Sequence, residues 1–129
     1  MIIIGHELIP YKTFIKIEKI KDNLEVEEES IILFDFYNKE VLKYISENDV
    51  SFFATKVENA IDACLANALG VKYILVEQDI ASSIQKIADE YLFDSKILLI
   101  IDEEKEMSLA IKDFIDGVIF KTVITDLAM

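Results

Sequence analysis

Five short apolar runs, Ile31 to Phe34, Val50 to Ala54, Tyr73 to Val76, Ile97 to Ile101 and Gly117 to Phe120, recur along the chain with segments of helical period between them. They have the length of strands, are rich in β-branched and aromatic side chains, and do not alternate, which is the mark of strands covered on both faces. The first intervening segment, from about Asn38 to Glu47, carries Val41, Leu42 and Ile45. In the second, Val57 to Leu69, the residues Val57, Ala60, Ile61, Cys64, Leu65 and Ala68 fall at helical spacing and predict one apolar stripe. Ile80, Ile84, Ile87, Ala88, Tyr91 and Leu92 make a third such pattern, and Met107, Ala110, Ile111 and Phe114 a fourth. Strict alternation of strand and helix implies an α/β fold: a predominantly parallel central sheet, joined by right-handed crossovers, with helices on its faces.

Local punctuation agrees with these boundaries. Thr55-Lys56-Val57-Glu58 has the spacing of a capping box, and Gly70 stands where a helix ends in a left-handed residue. Asp79 and Asp102 each precede a helical pattern directly, as N-caps do. Ahead of residue 31 the rhythm changes. Phe14-Ile15-Lys16-Ile17-Glu18 alternates and puts Ile15 and Ile17 on one side, so a further strand is expected there and another over Ile2 to Ile4. Asp22 to Ser30 holds five carboxylates and no base, the composition of a solvated connector. One domain over residues 1–129 is expected: an N-terminal strand extension (1–30), a βα core (31–121) and a C-terminal tail (122–129).

Charge and composition exclude several classes of function. The 25 acidic and 13 basic residues leave a net charge of −12, and a chain must bring positive charge to phosphates to displace their counterions. Neither nucleic acid nor an anionic membrane is an expected partner. No apolar stretch approaches the length of about 18 residues that a bilayer span needs, and Met1-Ile2-Ile3-Ile4-Gly5-His6-Glu7 lacks the basic start of a secretory leader, so a cytoplasmic protein is expected. Cys64 alone cannot make an internal disulfide or a multi-thiolate zinc site, and on its stripe it reads as a small buried hydrophobe. His6, the sole histidine, reads as a surface residue. Gly5, Gly70 and Gly117 are isolated, so there is no phosphate-cradling loop, and no cofactor is expected.

In an open parallel sheet the ligand site lies beyond the carboxyl ends of the strands. Those ends carry Asp35, then Thr55 and Lys56, then Glu77, Gln78 and Asp79, then Asp102 and Glu103, and finally Lys121. Asp35, Glu77, Asp102 and Lys121 are therefore the candidate site. Three carboxylates there suit Mg²⁺ through oxygen ligands, with Lys121 facing a phosphate. The competing reading is that apolar strands end at the surface and that an aspartate there caps the next helix.

The stretch Ile32-Leu33-Phe34-Asp35-Phe36-Tyr37-Asn38-Lys39-Glu40-Val41-Leu42 resembles the first strand and helix of a response-regulator receiver domain, and Asp116-Gly117-Val118-Ile119-Phe120-Lys121 is similar to its last strand with the terminal lysine. The resemblance implies a flavodoxin-like, receiver-like topology. It also makes Asp35 a member of a metal-binding acidic pair, Glu77 the occupant of the phosphoacceptor position and Lys121 the phosphate-pairing lysine. Phe36 stands where a second acid belongs, Glu77 replaces an aspartate, Ile101 or Asp102 replaces a hydroxyl residue, and Thr122 replaces a proline. A receiver-like module that does not autophosphorylate is what these departures imply.

The leading expectation is thus a non-catalytic, receiver-like regulatory or protein-interaction module. The alternative is a small enzyme or anion-binding protein that uses the carboxylate and lysine cluster on a flavodoxin-like or half-barrel-like scaffold. The core ends without the helix that would follow its last strand, which leaves an apolar face to be covered by residues 1–30 or by a second copy across a two-fold axis. Val123-Ile124 and Leu127-Ala128-Met129 are expected at that junction, and a homodimer or another protein partner is expected.

Overall fold

Apolar runs and helical patterns become elements close to where the sequence places them. The computed structural model describes residues 1–18, 30–48 and 52–126, so the acidic connector before Ser30 and the residues Leu127-Ala128-Met129 lie outside the described part. The strands are β1 (Ile2–Ile4), β2 (Phe14–Lys16), β3 (Ile31–Asp35), β4 (Phe53–Lys56), β5 (Tyr73–Val76), β6 (Lys96–Ile101), β7 (Gly117–Phe120) and β8 (Ile124–Asp126). The helices are α1 (Lys39–Asn48), α2 (Ala60–Leu69), α3 (Gln78–Glu90) and α4 (Met107–Lys112). Every strand pairing is parallel, which is the α/β, flavodoxin-like arrangement expected, with β1 and β2 as the N-terminal extension.

Strand order was open in the sequence, and it determines the shape. The eight described strands run β1-β7-β6-β5-β4-β3-β2-β8, consecutive from β2 to β7 with no reversal. Right-handed crossovers that always step the same way place all helices on one face. The packing shows this directly. One buried cluster joins the helices, through Val41, Ile45, Ala63, Ala66, Ala81, Ile84, Ala88 and Ala110, to the outward strand residues. The other cluster, built on Phe14, Leu33, Leu75, Leu98 and Ile119, contains no residue of α1 to α4.

That second face covers itself because the sheet is curled. β7 and β8 are six places apart in the sheet, which in a flat sheet is about 29 Å at the usual strand spacing. Only the 3-10 turn Lys121–Val123 joins them, and the four steps from Phe120 to Ile124 reach about 14 Å at most. The edges must therefore swing towards each other. The rings of Phe14 on β2 and Tyr73 on β5 accordingly lie 5.8 Å apart across the hollow. Val123 and Ile124 pack against the inner cluster, where the expected tail junction put them.

Several local expectations are corrected. Thr55 does not cap a helix: it is buried in β4, and its hydroxyl donates to the Phe34 carbonyl at 2.8 Å. The cap of α2 is Asn59, whose Oδ1 accepts from the Asp62 amide at 2.9 Å. Asp79 lies inside the first turn of α3, where its charge suits the helix dipole, and the residue before the helix is Glu77. Asp102 is followed by Glu103 and a 3-10 turn rather than directly by a helix. Gly70 does end α2, at φ 87°.

The predicted stripe on α2 is also turned around. Ala63 and Ala66 are buried, whereas Ile61, Leu65 and Cys64 are exposed. The sequence Ala-Ile-Asp-Ala-Cys-Leu-Ala-Asn-Ala-Leu is apolar almost all round, so period alone does not choose a face. A hydrogen bond does: Asn67 Oδ1 accepts from the Ser95 amide at 3.1 Å and turns the alanine side inward.

Candidate functional site

Period two along each strand sets the lining of the hollow. On β3 the inward positions are Ile31, Leu33 and Asp35; on β5 and its continuation they are Tyr73, Leu75 and Glu77. On these two strands apolar residues thus fill the lower and middle levels, and the inward charges stand at the carboxyl ends. There a cavity of about 340 Å³ opens, at the small end of the range for ligand pockets. Leu33, Leu75, Ile100 and Ile124 form its apolar floor, and Lys16, Asp35, Lys56, Glu77 and Lys121 stand around it.

The sign of charge alternates from strand to strand: Lys16 on β2, Asp35 on β3, Lys56 on β4, and Glu77 beyond β5. The ladder register makes Asp35 and Lys56 direct neighbours. Lys56 Nζ lies 3.1 Å from Glu77 Oε1, and Lys16 Nζ lies 4.0 Å from Asp35 Oδ2. The Tyr37 hydroxyl donates to Asp35 Oδ2 at 3.4 Å, and the negative charge of that carboxylate holds the phenol above its ordinary pKa. Lys121, by contrast, makes no ion pair among the described residues. Among the described residues that line the cavity, three lysines meet two acids, Asp35 and Glu77.

Three of the four candidate residues, Asp35, Glu77 and Lys121, therefore share one opening. Asp102 does not join them. It is in phase with Leu98 and Ile100, but β6 ends at Ile101 and the chain turns away, so Asp102 is exposed and its amide donates to Glu106 Oε2 at 3.2 Å. Nor do the described residues contain a group of three or more His, Cys, Asp or Glu able to hold a metal ion, which removes the three-carboxylate Mg²⁺ arrangement. His6 is half-buried, with its ring 6.1 Å from that of Phe120 and Nε2 3.5 Å from Glu104 Oε2.

Two members of the cavity were missing from the sequence-based set. Lys56 follows the apolar run within two residues, and the alternation that put Ile15 and Ile17 on one side of β2 put Lys16 on the other. Both signals were legible, but only a common rim makes them matter. Every basic residue of the chain is a lysine. Recognition here is by point charges and not by bidentate forks. Among the described residues no helix is long and apolar enough to cross a membrane. Comparison with protein-family models and with curated proteins finds no match to this chain.

Proposed function

We propose that the protein is a non-catalytic binding module whose mouth, at the carboxyl ends of the strands, holds a small organic anion. The observation that carries this reading is the Lys121 ammonium, unpaired among the described residues, at the rim of a cavity where Lys16 and Lys56 already face carboxylates. A phosphate or carboxylate group sits against Lys121, while hydroxyl or amino groups of the ligand donate to Asp35 and Glu77. The receiver resemblance contributes Asp35, Glu77 and Lys121 in this reading, used to hold an anion and not to accept a phosphoryl group. A hydrogen bond to a charged group is worth about 1.5–3 kcal/mol. Lys121→Ala should therefore weaken binding roughly tenfold or more.

Thermal denaturation with inorganic phosphate and a panel of small phosphate esters and hydroxy-carboxylates tests this. A saturable rise in Tm that Lys121→Ala loses and the surface variant Lys112→Ala keeps is the expected outcome. No saturable effect at millimolar ligand ends the proposal. Incubation with Mg²⁺ and a small phosphodonor should leave the intact mass unchanged, and a stable gain of one phosphoryl group would replace binding with phosphotransfer.

A second copy as partner is favoured by a separate observation. Ile61, Leu65 and Leu69 follow one another at successive turns of α2 and are 73%, 50% and 49% exposed, with the Cys64 thiol beside them. Packing α2 on α2 across a two-fold axis covers this stripe and brings two Cys64 residues together. Sedimentation should give a dimer, mild oxidation should trap it through Cys64, and Leu65→Asp should release monomers; a parent protein that is monomeric at high micromolar concentration removes this reading. A cytoplasmic location belongs with it, since a lone exposed thiol stays reduced there.

A further inference from the structure

The hollow has a second opening, at the amino ends of the strands. It measures about 540 Å³ and lies between the inner face of the sheet and the connection from β1 to β2. Its walls are apolar: Ile2, Phe14 and Ile31 come from the strands, and Ile9 and Pro10 from the connection. Two lysines, Lys12 and Lys72, stand at this opening, and among the described residues no acid lines it.

The two lysines also converge on one ring. Lys12 Nζ is 4.7 Å and Lys72 Nζ 4.6 Å from the centroid of Phe52, and Lys72 Nζ is 5.7 Å from that of Tyr73. Neither makes an ion pair among the described residues. The ring face attracts each ammonium, but the two ammoniums repel one another, and a ring quadrupole is a weak substitute for a counter-charge. Desolvation by burial raises the pKa of Tyr73, in keeping with the dry wall on which it stands.

We infer that this opening is a second ligand site, which takes an amphipathic carboxylate of the medium-chain fatty acid class. The carboxylate lies between Lys12 and Lys72 and relieves their repulsion, and the hydrocarbon tail enters the apolar space along Phe14 and Ile31. A neutral molecule of the same length gains the apolar contact alone. A cationic one meets two positive charges at the entrance.

Octanoate, octanol and octylammonium, titrated below their aggregation limits into the full chain, separate these terms by calorimetry. Octanoate should bind saturably, octanol at least tenfold more weakly, and octylammonium not at all. The double variant Lys12→Gln/Lys72→Gln alters exposed side chains only, and circular dichroism verifies its fold. It should lose tenfold or more in octanoate affinity while keeping the octanol affinity. Lys121→Ala should bind octanoate as the parent does, and inorganic phosphate should not compete, which keeps this site distinct from the upper cavity. Equal affinity for octanoate and octanol, undiminished octanoate binding by the double variant, or no saturable binding would each overturn the proposal. So would retention of the protein on phosphatidylglycerol vesicles in preference to free octanoate, which would make the lysines a surface for lipid.

Discussion

Gly117→Ala is expected to destabilise the protein by about 3 kcal/mol, the upper end of what overpacking costs, and to lower Tm by on the order of 10 °C. Gly117 is flanked in the sheet by Ile2 of β1 and Leu98 of β6. A Cβ placed on it would stand 2.6 Å from Ile2 Cβ and 2.8 Å from Leu98 Cδ2, and closer still to the Ile2 carbonyl oxygen. The leucine methyl can turn aside. The backbone of Ile2 cannot, short of moving β1 away from β7 and losing bonds such as that from the Ile2 amide to the Asp116 carbonyl at 2.9 Å. Hydrogen exchange should therefore rise first in β1 while β3 to β6 stay protected. Ile2→Ala in the same chain should not restore stability, because the obstructing oxygen remains. A Gly117→Ala protein that melts with the parent would mean that β1 is not held against β7 in this way.

Strand positions were legible because a buried parallel strand writes its own signal, a short greasy run with no polar face. Tyr73 to Val76 and Gly117 to Phe120 match β5 and β7 residue for residue. Helix faces were less legible where alanine does the packing. On α2 the largest apolar residues face outward and Ala63 and Ala66 face inward, the reverse of what a size-weighted stripe predicts. Helix ends were legible only where glycine marks them. Leu92 and Phe114 take up the left-handed position after α3 and α4, at φ 52° and 54°, with nothing in their chemistry to announce it.

The candidate site was half legible for a reason of geometry. A sequence shows which residue ends a strand but not how strands are ordered or how far the sheet bends. Asp35, Glu77 and Lys121 end β3, β5 and β7, which are separated from one another by β4 and β6. Curling brings them to one opening, and it adds Lys16 from β2, a strand only three residues long. An open apolar face in need of a cover was expected. Bending solves the same problem within one chain, because the strands' inner side chains meet each other.

Leu98→Ala puts that account at risk and is expected to cost about 3–4 kcal/mol, within the range for buried leucines. Leu98 is fully buried, and no helix reaches the cluster it belongs to. Its neighbours there are inward residues such as Leu75 and Ile119, also fully buried, so the cavity left behind has rigid walls on every side. Leu75→Ala should cost a similar amount, whereas Leu65→Ala, on the exposed side of α2, should cost well under 1 kcal/mol if the chain is monomeric. Urea unfolding at two widely spaced protein concentrations measures both the cost and its origin. In a curled sheet that covers its own inner face, the loss for Leu98→Ala is large, the slope against urea is unchanged, and the value is the same at both concentrations. A flat sheet with a bare inner face would forfeit less than about 1 kcal/mol, because a leucine already in water has little burial to lose. If a second copy covered that face instead, the loss would depend on protein concentration, and dilution alone would weaken the parent as the substitution does.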